Sequence, residues 1–342
     1  MEFQTIMSAR AAFMTVRGAI MAGARLLHDA GIDSARLDAE VLLCHVLGVG
    51  KAEFYLGCDM ALDETAEREF QKLLLRRARR EPVAYITGRK EFWSLDFVVT
   101  PDVLIPRPET ELLVELALAR ATQVPHPSLS PVVGGEGKGE GARDSRSDAF
   151  VYLDCRPPLK ILDLGTGSGA IAVSLAQELP QARICAIDIS AAAIDVARLN
   201  AQRHGVEERV EFFCGDLFDP IPEEREGYDL VVANPPYIRS GDLAGLAPEI
   251  RKWEPITALD GGADGLVYYR RMIIAAGDYL KAGGAIALEI GDGMGAAAAR
   301  LFADAGGYER VKVYRDYAGK ERVIAAAKVL PMGQTEERSK RG

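Results

Sequence analysis

The sequence has little of what builds disulfide scaffolds or metal centres. Its five cysteines are odd in number, scattered along 342 residues, and include no C-x-x-C pair, which fits neither a disulfide framework nor a zinc site. The four histidines share no ligand spacing, so no metal is expected. Scattered cysteines without a framework are typical of a reducing compartment, and we predict a cytoplasmic protein.

Long hydrophobic runs are also missing. The most apolar early stretch, residues 11–27, is broken by Arg17 and Arg25, so it predicts neither a signal peptide nor a membrane span. The composition, 48% hydrophobic and 27% charged, is that of a folded globular protein. A net charge of −9 disfavours direct binding to a nucleic-acid backbone. Small molecules and proteins remain as ligands, and a monomer is the default expectation.

Changes in pattern divide the chain into regions. Residues 1–90 predict a helical domain, in which the first thirteen residues resemble an extension ahead of the domain proper. Residues 91–122 predict connector strands and a helix. Residues 123–158, rich in Pro, Gly, Glu and Ser, predict a flexible insert. Residues 159–330 predict the second domain and residues 331–342 a disordered tail.

Apolar residues in the first region recur at helical spacing. Leu37, Val41 and Cys44 predict one buried helix face, and Asp63 is expected to cap a later helix. The basic run at 76–80 would end that helix, where cations interact favourably with the helix dipole. We therefore expect a solvated terminus, with contact to an acidic partner surface as the alternative.

The second domain alternates short β-rich runs with helical segments. This alternation predicts an α/β fold with a seven-stranded, mostly parallel, doubly wound sheet. A short loop between the last two runs predicts an antiparallel hairpin at the sheet edge. The strands are expected near residues 160–164, 183–188, 209–213, 228–233, 284–290, 310–314 and 321–328.

A glycine loop, Gly165-Thr-Gly-Ser-Gly169, follows the first of these strands. Its glycines allow a tight turn close to a ligand, and the next helix presents free N–H groups. Asp188, at the end of the second strand, is placed to accept hydrogen bonds from ribose hydroxyls. With Ala170 the spacing also fits the dinucleotide fingerprint G-x-G-x-x-A. Asp163 favours a cationic ligand such as S-adenosylmethionine over a pyrophosphate.

The fourth strand runs directly into Asn234-Pro-Pro-Tyr237. In a doubly wound sheet this tetrapeptide should lie at the same edge as the glycine loop. Pro235 and Pro236 stiffen the turn, which leaves the Asn234 side-chain oxygen and the Pro235 carbonyl as acceptors. Tyr237 offers a flat face to a planar group.

Such acceptors suit a planar NH2 group, either the amine of a nucleobase or a carboxamide. Its nitrogen is a poor nucleophile because its lone pair is delocalised. Holding both N–H bonds directs the lone pair at a methyl group and favours the positive charge that develops on nitrogen. No strong general base is required.

At this point the sequence resembles the Rossmann-like class I S-adenosylmethionine-dependent methyltransferases and, more narrowly, the peptide chain release factor glutamine N5-methyltransferase family. Several separate segments occur in the family's order. They are Pro82–Gly88, Leu104–Glu111, Ile161–Ala170, Asn234–Ile238, Glu254–Pro255, Ala258–Leu259, Asp264–Leu266, Leu288–Gly291 and Asp316–Gly319.

The resemblance implies a cofactor, a substrate and site residues. S-adenosyl-L-methionine would be the methyl donor, and the substrate would be the Gly-Gly-Gln loop of class I release factors, docked with help from the helical domain. The resemblance implies that Gly165, Thr166, Gly167, Ser168 and Gly169 surround the methionine part. Asp188 would hold the ribose, Asp216 and Leu217 would border the adenine, and Asn234 would also contact the cofactor. The residues implied around the glutamine amide are Asn234, Pro235, Pro236 and Tyr237.

The sequence also departs from the family pattern. Leu217 stands where some members carry an aromatic ring, Met294 stands where Gln is expected, and the 123–158 insert is foreign to the compact pattern.

Four alternative functions remain open. They are a ribosomal-protein glutamine methyltransferase, an adenine-N6 nucleic-acid methyltransferase, a dinucleotide-dependent oxidoreductase and a non-catalytic binding module.

Overall fold

The computed structural model describes residues 14–50, 53–54, 57–122, 158–222 and 227–329. The expected N-terminal extension, the expected tail and all of the expected insert except Pro158 lie outside these ranges. The described residues form two compact units. The first comprises residues up to Arg89 together with Val99–Pro101 and Gly245–Glu254, and the second comprises the rest. Within these ranges no helix has the length and apolarity needed to cross a bilayer.

The first unit is helical. Its helices are α1 (Val16–Asp29), α2 (Ala35–Leu47), α3 (Glu64–Ala78), α4 (Val83–Thr87) and, from the late segment, α8 (Pro248–Trp253). Asp63 caps α3 as expected, because its Oδ1 accepts hydrogen bonds from the amides of Thr65 and Ala66.

The expected buried face of α2 was partly wrong. Leu37 is 55% exposed, whereas Ala39, Leu42 and Leu43 are fully buried. Ala39, Leu42 and Leu43 stand at positions i, i+3 and i+4, which lie on one face of a helix. This face is the one that the helix turns inward. Asp38 shares the buried side, so a polar group occupies a position that hydrophobic periodicity alone would not assign to the core.

The basic run at the end of α3 is not a solvated terminus. Arg77 is buried, and its Nε donates to Asp38 Oδ2 at 2.7 Å. Glu249 of α8 accepts from Arg77 at 3.2 Å and from Arg80 at 2.9 Å. Arg76 pairs with Glu81. Much of the positive charge is therefore neutralised inside the unit, and this network ties the late segment that contains Glu249 to α3.

Arg77→Met is expected to lower the free energy of unfolding by about 3 kcal/mol, because it leaves the Asp38 carboxylate buried without its partner. Urea denaturation followed by circular dichroism measures this change. The control is Arg79→Ala, since Arg79 is exposed on the same helix end, and its effect should stay within about 0.5 kcal/mol. Equal stability of the two variants would contradict a structural role for the buried network.

The second unit contains a small sheet and a large one. The small sheet pairs β1 (Arg89–Phe92), whose first residue Arg89 is counted with the first unit, with β2 (Leu95–Val98). The strands of the large sheet are β3 (Lys160–Leu164), β4 (Arg183–Asp188), β5 (Val210–Cys214), β6 (Tyr228–Ala233), β7 (Leu280–Glu289), β8 (Tyr308–Arg315) and β9 (Glu321–Lys328). The helices are α5 (Glu111–Thr122), α6 (Ala170–Glu178), α7 (Ala191–Arg203), α9 (Val267–Tyr279) and α10 (Gly295–Ala305).

The large sheet confirms the predicted fold class. Its seven strands have the order β5-β4-β3-β6-β7-β9-β8. Neighbours from β5 to β7 are parallel, whereas β9 runs antiparallel to both β7 and β8. The strand expected at 284–290 begins earlier, at Leu280, where its pairing with β6 contains a register shift. That irregularity lies at the glycines of residues 283–284, which resemble a turn in the sequence.

The central strand β3 is buried on both faces. Ile161, Leu162 and Leu164 of β3 are fully buried, as expected for a parallel strand covered by helices on both sides. In register, Leu164 lies opposite Ile187 of β4 and Ala233 of β6. The residues that follow these three strands therefore emerge together at one edge of the sheet.

Candidate active site

The glycine loop is built by backbone conformations that suit glycine. Gly165, Gly167 and Gly169 have φ values of 71°, 56° and 80°, a region that other residues rarely adopt. The amides of Gly165 and Thr166 donate to the Ile187 carbonyl at 2.8 and 2.9 Å. The loop is thereby fixed to the end of β4, and the space beside Gly165 and Gly167 is open to 4 Å.

Asp188 joins the loop to the next helix. Its Oδ2 accepts from the Gly167 amide at 2.8 Å, and its Oδ1 accepts from the Ser190 amide at 2.9 Å. Burial raises the pKa of Asp188, an effect opposed by these N–H donors. Each carboxylate oxygen keeps a lone pair beyond these bonds, so Asp188 can still accept hydrogen bonds from a diol.

Asp163 lies beneath the loop. It is fully buried, and its Oδ2 accepts from the Thr166 hydroxyl at 2.7 Å. Burial raises the pKa of Asp163 to about 7. The sequence favours a cationic ligand at this acidic group. In the structure Asp163 holds Thr166 through Oδ2, and its Oδ1 is buried without a hydrogen-bond partner among the described residues.

Asn200 of α7 fixes the same loop from a second side. Its amide nitrogen donates to the carbonyls of Ser168 at 2.8 Å and Val98 at 3.0 Å, and its oxygen accepts from the Val98 amide at 2.7 Å. Asn200 is fully buried. One side chain therefore links the glycine loop to β2, a contact that the sequence analysis missed because its partners are distant in the chain.

A pocket runs along the carboxyl ends of β3, β4, β5 and β6. Of the residues expected there, the pocket is lined by Gly165, Gly167, Asp188, Asp216, Leu217, Asn234, Pro235 and Pro236. Thr166, Ser168, Gly169 and Tyr237 lie next to it in sequence but are absent from that lining. The lining also includes residues that the sequence analysis missed, namely Asp102, Val103, Leu104, Ile187, Ile189, Ser190, Ala193, Gly215, Pro255, Thr257, Ala258, Tyr268 and Met272.

Helix α9 places an aromatic side chain in the pocket that Leu217 also lines. Leu217 adopts a left-handed backbone conformation, with φ of 50°. Tyr268 and Met272, one helical turn apart on α9, line the same pocket, and the neighbouring Arg271 pairs with Asp216 at 2.7 Å. A helical spacing of four residues was the available signal, but it does not distinguish a pocket wall from a core face.

The amide of Asn234 has a fixed orientation. Its Nδ2 donates to the Thr110 hydroxyl oxygen at 3.1 Å. The amide nitrogen is therefore engaged by the connector, and Oδ1 is left as the acceptor that faces away from Thr110. Pro235, which follows, is buried. The connector that the sequence marked by its two prolines thus contacts the key side chain of the site.

Glycines support the Asn234–Tyr237 loop from behind. A Cβ atom on Gly261 would lie 2.8 Å from the Pro236 carbonyl oxygen, and one on Gly265 would lie 2.5 Å from the Tyr237 carbonyl oxygen. One on Gly291 would lie 3.2 Å from the Tyr237 ring and 2.9 Å from Met294 Sδ. These close approaches explain the glycines after Asp260 and Ile290. They also place Met294, the residue that departs from the family pattern, beside Gly291.

Comparison with known proteins gives consistent matches over most of the chain. Residues 19–88 match the PrmC N-terminal domain, and residues 156–256 match a methyltransferase domain. The release factor glutamine methyltransferase of Geobacter sulfurreducens is 41% identical over 280 residues, covering 82% of this chain and 85% of that protein. The protein of that name from Moorella thermoacetica is 40% identical over 313 residues, covering 92% of this chain and 98% of the relative.

A solved structure shares the fold. The catalytic domain of hMettl16, determined in complex with the MAT2A 3′UTR hairpin 6, aligns with a TM-score of 0.50 over 74% of this chain and 84% of that one, at 13% identity. The sheet order and the pocket at its carboxyl edge define a class I methyltransferase. Within that class, the chain belongs to the release factor glutamine methyltransferase family.

Asn200→Ala is expected to lower the free energy of unfolding by about 2 to 4 kcal/mol, because it leaves buried backbone groups of Ser168 and Val98 without partners. Thermal and urea denaturation measure the change. Leu199→Ala, at an exposed position of the same helix, is the matched control and should cost much less. If the two variants unfold alike, Asn200 does not hold the loop.

Proposed function

We propose that this protein transfers a methyl group from S-adenosyl-L-methionine to the side-chain amide nitrogen, N5, of the glutamine in the Gly-Gly-Gln motif of class I peptide chain release factors. The observation that carries the proposal is the Asn234 amide, held by Thr110 so that its oxygen is free to accept. It stands at the sheet edge next to the glycine loop, in a chain of the release factor glutamine methyltransferase family.

The residues at the sheet edge fit S-adenosylmethionine. Asp188 keeps acceptor capacity for the ribose hydroxyls, and no side chain intrudes at Gly165 and Gly167. Tyr268 and Leu217 would border the adenine. When bound, the cofactor supplies an electrophilic methyl group on a sulfonium. Thr166, Ser168 and Gly169 would complete the loop around the methionine part, held in place by the bonds from the Thr166 hydroxyl to Asp163 and from Asn200 to the Ser168 carbonyl.

The acceptor side needs orientation rather than a strong base. Asn234 Oδ1 and the Pro235 carbonyl would accept the two N–H bonds of the glutamine amide, which turns the nitrogen lone pair toward the methyl group. The same two acceptors stabilise the positive charge that develops on nitrogen during transfer. Pro236 and Tyr237 would complete the wall against which the planar amide packs.

The remaining parts of the proposal concern the setting of the reaction. We assign the helical first unit to docking the release factor and the second unit to methyl transfer. We propose that the protein acts as a monomer in the cytoplasm, where the free cysteines at positions 44, 58, 185 and 214 stay reduced. Its partner is a protein, and no direct contact with nucleic acid is required.

Asp188→Ala is expected to weaken S-adenosylmethionine binding by about 10- to 100-fold, since it removes a charge-assisted acceptor from the ribose side. Isothermal titration calorimetry measures the affinity. Asp195→Ala, an exposed aspartate on α7, is the control and should bind as the unaltered protein does. Unchanged affinity in Asp188→Ala would remove Asp188 from the cofactor site.

Asn234→Ala is expected to keep cofactor affinity within about threefold and to lose methyl transfer by about 100-fold or more, as for removal of a group that stabilises developing charge. The assay follows tritium from labelled S-adenosylmethionine into a purified release factor. A release factor with Gly-Gly-Ala in place of Gly-Gly-Gln should accept no label.

Two further substrates distinguish the alternatives. Label on a ribosomal protein extract but not on the release factor would favour the ribosomal-protein glutamine methyltransferase. Label on duplex DNA would favour an adenine-directed enzyme. Full activity of Asn234→Ala on the release factor would refute the role given to its side chain.

A further inference from the structure

Glu289 is a buried carboxylate that the proposed chemistry does not use. It ends β7, the strand beside β6, and is 1% exposed. It accepts a hydrogen bond from the Thr110 side chain. Its second oxygen, Oε2, is buried without a hydrogen-bond partner among the described residues. A buried carboxylate with one oxygen unpartnered is costly, and the methyl-transfer chemistry proposed above gives it no role.

Thr110 connects this carboxylate to Asn234, and the connection has a direction. A hydroxyl donates one hydrogen bond and accepts others, whereas an ionised carboxylate only accepts. When the Thr110 hydroxyl donates its hydrogen bond to Glu289, the Thr110 oxygen can only accept from Asn234. It therefore selects the NH2 side of the Asn234 amide. The carbonyl side of Asn234 is then turned away from Thr110.

We propose that Thr110 and Glu289 are positioning residues for methyl transfer, with the ionised Glu289 setting the Thr110 hydroxyl so that Asn234 presents its oxygen to the glutamine amide. The inference rests on the proposed function. It assigns a purpose to the connector threonine and to the glutamate of the Leu288–Gly291 segment.

Protonation of Glu289 would reverse the direction of the hydrogen bonds that link Glu289, Thr110 and Asn234. A proton on Oε2 would have no acceptor there, whereas a proton on the other oxygen would donate to Thr110. Buried donors favour the site with a partner. The Thr110 hydroxyl would then donate to Asn234, which would rotate its amide and present NH2 where an acceptor is needed. Glu289→Gln mimics this state. Its NH2 group, like the proton, finds an acceptor only in the position that faces Thr110.

The charges around Glu289 leave it able to titrate near neutrality. Burial raises its pKa to about 7, while the hydrogen bond from Thr110 and the charge of Arg322 oppose that rise. Arg322 is itself held by Asp316, with an Nη2 to Oδ2 distance of 3.0 Å. The other titratable or charged groups that face Glu289 are Arg107 and Glu109 of the connector, Tyr237, and Tyr269 of α9.

The test compares Thr110→Val, Thr110→Ser and Glu289→Gln at saturating S-adenosylmethionine and release factor. Thr110→Val and Glu289→Gln are expected to lower kcat by about 10- to 100-fold, with cofactor affinity within about threefold of the unaltered enzyme. Thr110→Ser keeps the hydroxyl and should restore most of the rate. The double variant should be no slower than Thr110→Val alone, because both changes break the same chain.

A pH profile separates positioning from general damage. In the unaltered enzyme kcat should rise with pH through about 7 as Glu289 ionises, and this rise should vanish in Glu289→Gln. Asp163 titrates in the same range, but its contact is with Thr166 of the glycine loop. Saturating cofactor removes an effect of Asp163 on cofactor binding, and the Glu289→Gln profile shows whether the rise in kcat belongs to Glu289.

The outcomes are distinguishable. If the unaltered enzyme labels no release factor, the proposed function fails. If it labels the factor and Thr110→Val is equally fast, or Glu289→Gln keeps both the rate and the rise with pH, the positioning role alone is overturned. A loss in Thr110→Val that Thr110→Ser does not restore would also overturn it, since the hydroxyl would then not be the active feature.

Discussion

The site depends on the alignment of three parallel strand ends. Strands β3, β4 and β6 are hydrophobic along most of their length, so the groups proposed to meet a ligand stand where these strands stop. Leu164 lies in register with Ile187 and Ala233, so the glycine loop, Asp188 and Asn234 emerge side by side. A shift of one residue in either pairing would turn alternate side chains to the opposite face and separate these groups. The hydrophobic strands therefore fix the geometry of the polar site.

The polar groups at that edge are then held by second partners from elsewhere in the chain. Asn200 fixes the loop through the Ser168 carbonyl, and Thr110 fixes the Asn234 amide. Asn200 and Thr110 are both neutral side chains hydrogen-bonded to defined atoms. Such fixed neutral groups suit a site that must keep its geometry while positive charge develops on the substrate nitrogen. The Asn234–Tyr237 loop also packs closely against Gly261 and Gly265, where a Cβ atom would lie within 3 Å of its backbone.

Much of this arrangement was predictable because it is local in sequence. A local pattern of about ten residues is enough to predict each of four features. These are the seven strands, the Asp63 cap, the glycine loop and the Asn234–Tyr237 turn. Whether Asp188 or Tyr237 performs its assigned role stays a prediction. The contacts between distant residues could not be foreseen. Arg77 meets Glu249, and Thr110 meets Asn234, across 172 and 124 positions, and no local pattern encodes such pairs. The basic run at 76–80 was misinterpreted for this reason, since its partners lie elsewhere in the chain.

Two buried carboxylates that hydrogen-bond to parts of the site show how function opposes stability here. Asp163 holds Thr166 of the glycine loop, and Glu289 accepts from Thr110, the partner of Asn234. Burial raises the pKa of each carboxyl to about 7. Between the ordinary carboxyl pKa near 4 and this value the folded protein binds more protons than the unfolded chain. Stability contributed by these groups therefore falls as pH rises through that window. The ionised Glu289 that orients Asn234 is the form that the fold accommodates least well, so the acceptor site works in the state that costs the protein stability.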